Sequence, residues 1–294
     1  MAGAAELRAR IEGIRETKKI TDAMYMIASA KMRRALRDLE GSTPYFEALK
    51  ESIAALLRSF PQTRNRYIDT PEGDDGAGRN HGILLITSDR GLAGAYNHEA
   101  IRACLKCAER YDRATVFIIG EYGRQYFLSH GLDFDRSFHH AAARPGMAEA
   151  QHICAELLER YDSADLDGVS IIYTDFTANR PTVVRTVTLL PLQKATLLEG
   201  GGDAPPEEKE FLPDPETVLD GVIPSYLSGF IYGSLTESFC SEQQSRMNAM
   251  KSAGSNADKM LKELSIRYNK LRQAAITAEI TEISAGARAQ QRDE

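Results

Sequence analysis

What the chain lacks narrows its function first. No apolar run approaches the roughly 20 residues of a membrane-spanning helix, and no apolar signal region opens the sequence. Four cysteines (Cys104, Cys107, Cys154 and Cys240) do not make a disulfide framework for 294 residues. Cys104 and Cys107 have CxxC spacing but fall in a predicted helix with no second pair nearby, so buried thiols are favoured over zinc ligands. There is no GxGxxG cradle, no GxxxxGK[ST] loop, no GxSxG, no HExxH and no convincing carboxylate pair. His139 and His140 are adjacent, so their side chains diverge, and both are expected at the surface. Catalytic residues, cofactors and metals are therefore not expected.

Composition adds two exclusions. A net charge of −6 argues against broad nucleic-acid binding, and 43% hydrophobic with 27% charged residues excludes a disordered chain. Glu6, Glu12 and Glu16 make the arginine-containing N-terminus a poor transit peptide, so the protein is expected to stay in a bacterial cytoplasm.

What is present lies first at the two ends. Three-four stepping from Met247 gives Met250, Gly254, Ala257, Leu261, Leu264, Tyr268, Leu271, Ala275, Ala278 and Glu282, a coiled-coil seam with no proline in it. One helix over about 226–285 would be roughly 90 Å long at about 1.5 Å per residue and needs a partner. The other end supplies one: Leu7, Ile11, Ile14, Lys18, Thr21, Tyr25, Ala28, Met32, Ala35 and Leu39. Lys18 and Thr21 are polar members of the kind that fix register. Ile20, Met24 and Ile27 form a second stripe beside the first. Gly41 to Pro44 marks an expected break or kink, after which Phe46, Leu49, Ile53 and Leu56 resume the pattern. The basic group Lys31, Arg33, Arg34 and Arg37 reads as a solvated face or as a docking patch for an acidic partner.

The middle is different. Turn-rich stretches at 61–81 and 199–215 flank short Ile- and Val-rich runs at 82–87, 114–119 and 168–173. Helical segments near 98–111, 121–129 and 147–161 alternate with them, which implies parallel strands in an α/β layer. Residues 182–189 alternate and suit an added antiparallel strand. The fold expected is a long antiparallel coiled coil of the terminal helices with an inserted Rossmann-like α/β domain. Its parts are 1–60, 82–198 and 216–294.

Three segments carry a resemblance. They are Ile20-Thr21-Asp22-Ala23-Met24 through Ala28 to Arg33; Ile86 to Gly94 with Tyr96-Asn97; and Ser241-Glu242, Arg246-Met247 and Ala249-Met250-Lys251 with the run from Leu264 to Ile283. Together they resemble the gamma subunit of the F-type ATP synthases. The resemblance implies a non-catalytic rotor shaft inside a hexamer of alpha and beta subunits, standing on the membrane c-ring beside the epsilon subunit. It implies a peripheral position on the cytoplasmic face of the inner membrane, and no homo-oligomer. It also implies beta-subunit contacts at Met24, Arg272, Gln273, Thr277 and Glu279, and matches Lys31, Arg33 and Arg34 to an acidic beta-subunit segment. The tail from Arg288 to Glu294 is longer and more polar than the family's ending, and the chloroplast-type redox insertion is absent. Choice of coupling ion lies in other subunits. Two other classes compete: a nucleotide-dependent enzyme built on the α/β domain, which the missing phosphate cradle disfavours, and an unrelated coiled-coil scaffold.

Overall fold

The computed structural model describes residues 2–63, 65–68, 80–177, 182–198, 212 and 214–290, the side chains of 2, 4 and 285–290 excepted. Helix α1 is Ala2–Ser59, strand β1 Asn80–Ile86, α2 Tyr96–Ala108, β2 Arg113–Ile119, α3 Glu121–Ser129 and α4 Met147–Asp162. Then follow β3 Gly168–Asp175, β4 Val183–Leu190, α5 Lys194–Leu198 and α6 Pro215–Gln290. The turn-rich stretches expected at 61–81 and 199–215 lie largely outside the described residues. Two compact units result: Met1–Ala28 with Arg246–Glu294, and Ser29–Ser245.

The first unit is the antiparallel pair of helical ends. Lys18 Nζ meets Asp258 Oδ1 at 2.5 Å, while the Cβ position of Gly254 lies 3.6 Å from Asp22 Oδ1. The partner number falls as the α1 number rises, which fixes the antiparallel sense. Hydrogen bonding to Asp258 holds the Lys18 ammonium above the ordinary lysine value. Ile11, Thr21, Ala28, Met250, Ala257 and Leu264 are buried along the seam. Three corrections follow. Met24, not Tyr25, occupies the seam between Thr21 and Ala28, because Tyr25 is exposed and Met24 half-buried. Ile20 and Ile27 of the expected second stripe are 61% and 56% exposed. The paired seam also ends at Tyr268. By the register of Lys18 with Asp258, Leu271 already faces the start of α1, and from there to residue 284 every side chain is exposed.

The second unit contains a sheet of order β2-β1-β3-β4, parallel except for β4. Alternation along β1 explains its burial on both faces. Ile83 and Leu85 pack with Ile101 and Cys104 of α2 and Phe127 of α3. Leu84 and Ile86 pack on the opposite side with Ile153 and Leu157 of α4, Leu56 of α1, and Leu227 and Ile231 of α6. Each buried Leu or Ile side chain contributes about 1.5–3 kcal/mol. The result is a three-layer α/β/α arrangement, as the strand–helix alternation requires.

Of the break or kink expected from Gly41 to Pro44, no break occurs: α1 runs through it. Pro44 has no N–H for the Glu40 carbonyl, a local loss that proline always imposes within a helix. Ser42 and Thr43 hydroxyls both donate to the Leu39 carbonyl just before it, at 3.0 and 2.8 Å. Phe46, one turn side on, covers Gly229 of α6 so closely that a Cβ there would lie 1.9 Å from the ring. Packing of that kind keeps the helix intact where propensity alone would end it. At the other helix start, Asp214 caps α6 by accepting the Thr217 N–H at 2.9 Å, with Pro215 in the first turn.

Candidate partner-binding surfaces

In doubly wound sheets a ligand crevice forms where strand order reverses, here between β1 and β3. The loop after β1 turns inward at that point. Three amides of the first turn of α3, the usual kind of anchor for a phosphate, are engaged by residues 87–89 just after β1. Glu121 N–H donates to Asp89 Oδ1 at 3.2 Å, Tyr122 N–H to the Ser88 carbonyl at 3.0 Å, and Gly123 N–H to Thr87 Oγ1 at 3.1 Å. Asp89 also accepts the Ala142 N–H at 3.1 Å, and Asn97 Oδ1 takes the Ser88 N–H at 2.9 Å. The carboxylate of Asp89 thus stands where an external anion would. Gly120, at φ 93°, is required beside it, since a Cβ would lie 2.4 Å from the Thr87 carbonyl. On the β3 side, Ser238 and Ser241 of α6 close the crevice: Thr174 N–H donates to Ser238 Oγ at 3.0 Å, and Ser241 Oγ donates to the Asp175 carbonyl at 3.0 Å.

The cysteine pair is in the core. Cys104 and Cys107 are buried, and burial pushes the Cys104 thiol up to about 12, so it stays protonated against apolar neighbours. His140 departs from its expected surface position. Its ring lies between two carboxylates, Nδ1 at 2.5 Å from Glu149 and Nε2 at 3.3 Å from Glu156, while His139 is exposed as expected.

The residues expected at the partner contacts lie on two exposed surfaces among the described residues, one in each unit. In the second unit, Lys31, Arg33, Arg34 and Arg37 of α1 are all exposed. At about 100° per residue Arg33, Arg34 and Arg37 spread over the side of α1 opposite the stripe of Met32, Ala35 and Leu39, and Lys31 flanks that stripe. Arg33 Nη1 donates to Ser29 Oγ at 2.9 Å, a contact that leaves its other donors outward.

In the first unit the surface is the unpaired end of α6. Arg272, Gln273, Thr277 and Glu279 are exposed there, and Met24 of α1 sits half-buried in the seam away from them. Arg272 and Glu279 share one face at i, i+7, and Gln273 and Thr277 another at i, i+4. Thr277 Oγ1 donates to the Gln273 carbonyl at 2.9 Å. Between these faces lies a stripe that sequence reading missed: Ile276, Ile280 and Ile283, 47%, 59% and 67% exposed. The spacing was visible, but the seam was assigned to Ala275 and Ala278 instead. An exposed isoleucine stripe of this kind is a candidate surface for contact with another protein.

A family assignment follows from the sequence. Residues 3–290 match the family described as ATP synthase. The ATP synthase gamma chain of Caldanaerobacter subterraneus subsp. tengcongensis is 36% identical, over 97% of this chain and 99% of its own. The chain belongs to the ATP synthase gamma family. The gamma chain of Alkaliphilus metalliredigens is 37% identical over 98% of each chain, and the sodium ion specific gamma chain of Acetobacterium woodii is 33% identical over 97% of each. The fold agrees. The rotor of the Euglena gracilis mitochondrial ATP synthase superposes with a TM-score of 0.64 at 18% identity, covering 94% of this chain and 99% of that one. As a gamma chain the protein is one subunit of a larger complex. Among the described residues no helix is long and apolar enough to cross a membrane.

Proposed function

We propose that the chain is the central stalk of an F-type ATP synthase, coupling ion flow through a membrane c-ring to ATP synthesis or hydrolysis in an alpha/beta hexamer by rotation. The observation that carries this reading is the unpaired, fully exposed end of α6 with its isoleucine stripe, in a chain of the gamma family. In this reading residues 1–60 and 216–294 are the shaft and 82–198 belong to its base, beside an epsilon subunit and on the c-ring. The chain performs no chemistry itself and sits at the cytoplasmic face of the bacterial inner membrane.

The geometry suits such a shaft. Around one helix circumference the end of α6 presents a charged face (Arg272, Glu279), an apolar face (Ile276, Ile280) and a neutral polar face (Gln273, Thr277). These faces lie side by side over about half of the circumference, and alanines, Thr281 and Glu282 occupy the rest. Subunits around the shaft would therefore meet different chemistry at any instant. Each catalytic site is then biased by the difference in contact free energy between its own states, and rotation moves that bias from site to site. Arg272 can hold a beta-subunit carboxylate through two parallel hydrogen bonds. Lys31, Arg33 and Arg34 suit an acidic beta-subunit surface, and Met24, matched by family resemblance to a beta-subunit contact, is half-buried in the seam.

Two variants of the assembled complex test these roles. Arg272→Leu with Gln273→Leu is expected to slow multisite ATP turnover tenfold or more, at about 1.4 kcal/mol per factor of ten. Single-site nucleotide binding should stay normal. Lys31, Arg33 and Arg34 changed together to Glu should lower ATP-driven ion pumping while the chain's thermal unfolding is unchanged. Wild-type turnover in the first variant removes the latch role, and wild-type pumping in the second makes the basic group a solvated face.

A further inference from the structure

One ring in the second unit is explained by neither the core nor the partner surfaces. Strand β2 lies at one edge of the sheet, and the strip 135–142 runs along that edge. Asp135 N–H donates to the Val116 carbonyl at 2.9 Å, and Gly120 N–H donates to the His140 carbonyl at 3.0 Å. A covered edge is shielded from pairing with another chain. His140 also ties this cover to α4. Its side chain is only 10% exposed, with Nδ1 2.5 Å from Glu149 Oε1 and Nε2 3.3 Å from Glu156 Oε2. Ionised carboxylates only accept hydrogen bonds, and a neutral imidazole has a single N–H. Both contacts are hydrogen bonds only when the ring carries two protons.

We propose that His140, Glu149 and Glu156 form a proton-dependent latch that holds the strip 135–142, and so the cover on β2, against α4. With two protons the ring donates to both glutamates, and one positive charge lies between two negative ones. With one proton, a nitrogen lone pair faces carboxylate oxygens and that contact turns repulsive. Other charged groups nearby have partners of their own or point to solvent. Asp135 pairs with Arg160 of α4 at 2.6 Å, and Arg124 of α3 donates to the Phe138 carbonyl at 2.7 Å. Asp89, in the loop after β1, accepts the Ala142 N–H at 3.1 Å. Arg136, His139 and Arg144 of the α3–α4 connection are exposed, as are His152 and Glu159 of α4.

The closed latch binds the extra proton, so raising the pH shifts the balance toward the open form. Histidine is the side chain that ordinarily changes charge between about pH 5 and 8. Opening frees the strip from α4 and weakens its hold on the edge of β2, while the sheet and its two buried faces stay intact.

The test uses the full chain. Nitrogen-15 NMR of the histidine rings at about pH 6 should show protons on both His140 nitrogens. Amide hydrogen exchange then reads the cover. Protection of the Gly120 and Asp135 amides, corrected for intrinsic exchange, should fall about two- to fivefold between about pH 6 and 8, the size expected of a partly exposed ion pair. In Glu149→Gln with Glu156→Gln that fall should vanish, although His152 and the other histidines still titrate. A His140 ring with a single proton at that lower pH, wild-type protection that does not change with pH, or the same fall in the double variant would overturn the proposal.

Discussion

At the scale of single residues, the loop after β1 shows how a motif can look like a ligand cradle and be a structural joint. The turn from Ser88 to Gly94 follows the first strand and carries two glycines, but not the GxGxxG pattern of a phosphate loop. The hydrogen bonds give the physical reason: Thr87, Ser88 and Asp89 themselves satisfy the opening amides of α3. Asp89→Ala leaves two backbone donors, of Glu121 and Ala142, without their acceptor. Its expected cost is about 1–2 kcal/mol in denaturant unfolding, with Asp89→Asn milder because it keeps an oxygen. An unchanged midpoint in Asp89→Ala would show that water replaces the carboxylate without loss. His140 was illegible for a related reason. Glu149 and Glu156, its partners, come from α4, and nothing in the local sequence announces that meeting.

At the scale of elements, periodicity located most of the secondary structure, because each strand and helix has its own apolar pattern. Helix α3 was placed at its observed bounds, and β4 was recognised from its alternation. Register was not legible, since a seam records which residues face inward and not which partner they meet. That is why Leu271 was counted in the pair, although by the register it meets only the first turn of α1 and is exposed. At Pro44 propensity favours a break, yet α1 continues through it, with Phe46 packed on Gly229. The register makes a direct prediction. Cysteines at Ile11 and Leu264, both buried in the seam, should form a disulfide within the chain under mild oxidation. A pair at Ile14 and Leu271 should not. The reverse pattern on non-reducing gels would mean that the helices are paired in another register.

At the scale of the whole molecule, family membership turns the exposed end of α6 from an oddity into a requirement. A helix end with isoleucines in solvent is a liability in an isolated protein and is useful only where other subunits surround it. The chain's four native cysteines are all buried, so one surface cysteine can be labelled selectively. Asp133 is exposed in the second unit and suits that purpose. With the alpha/beta hexamer fixed to glass and a bead attached through Asp133→Cys, ATP should drive the bead round in one direction with three pauses per turn. Hydrolysis of ATP by that same immobilised complex with the bead rotationally still would contradict the assignment of this chain as the rotor.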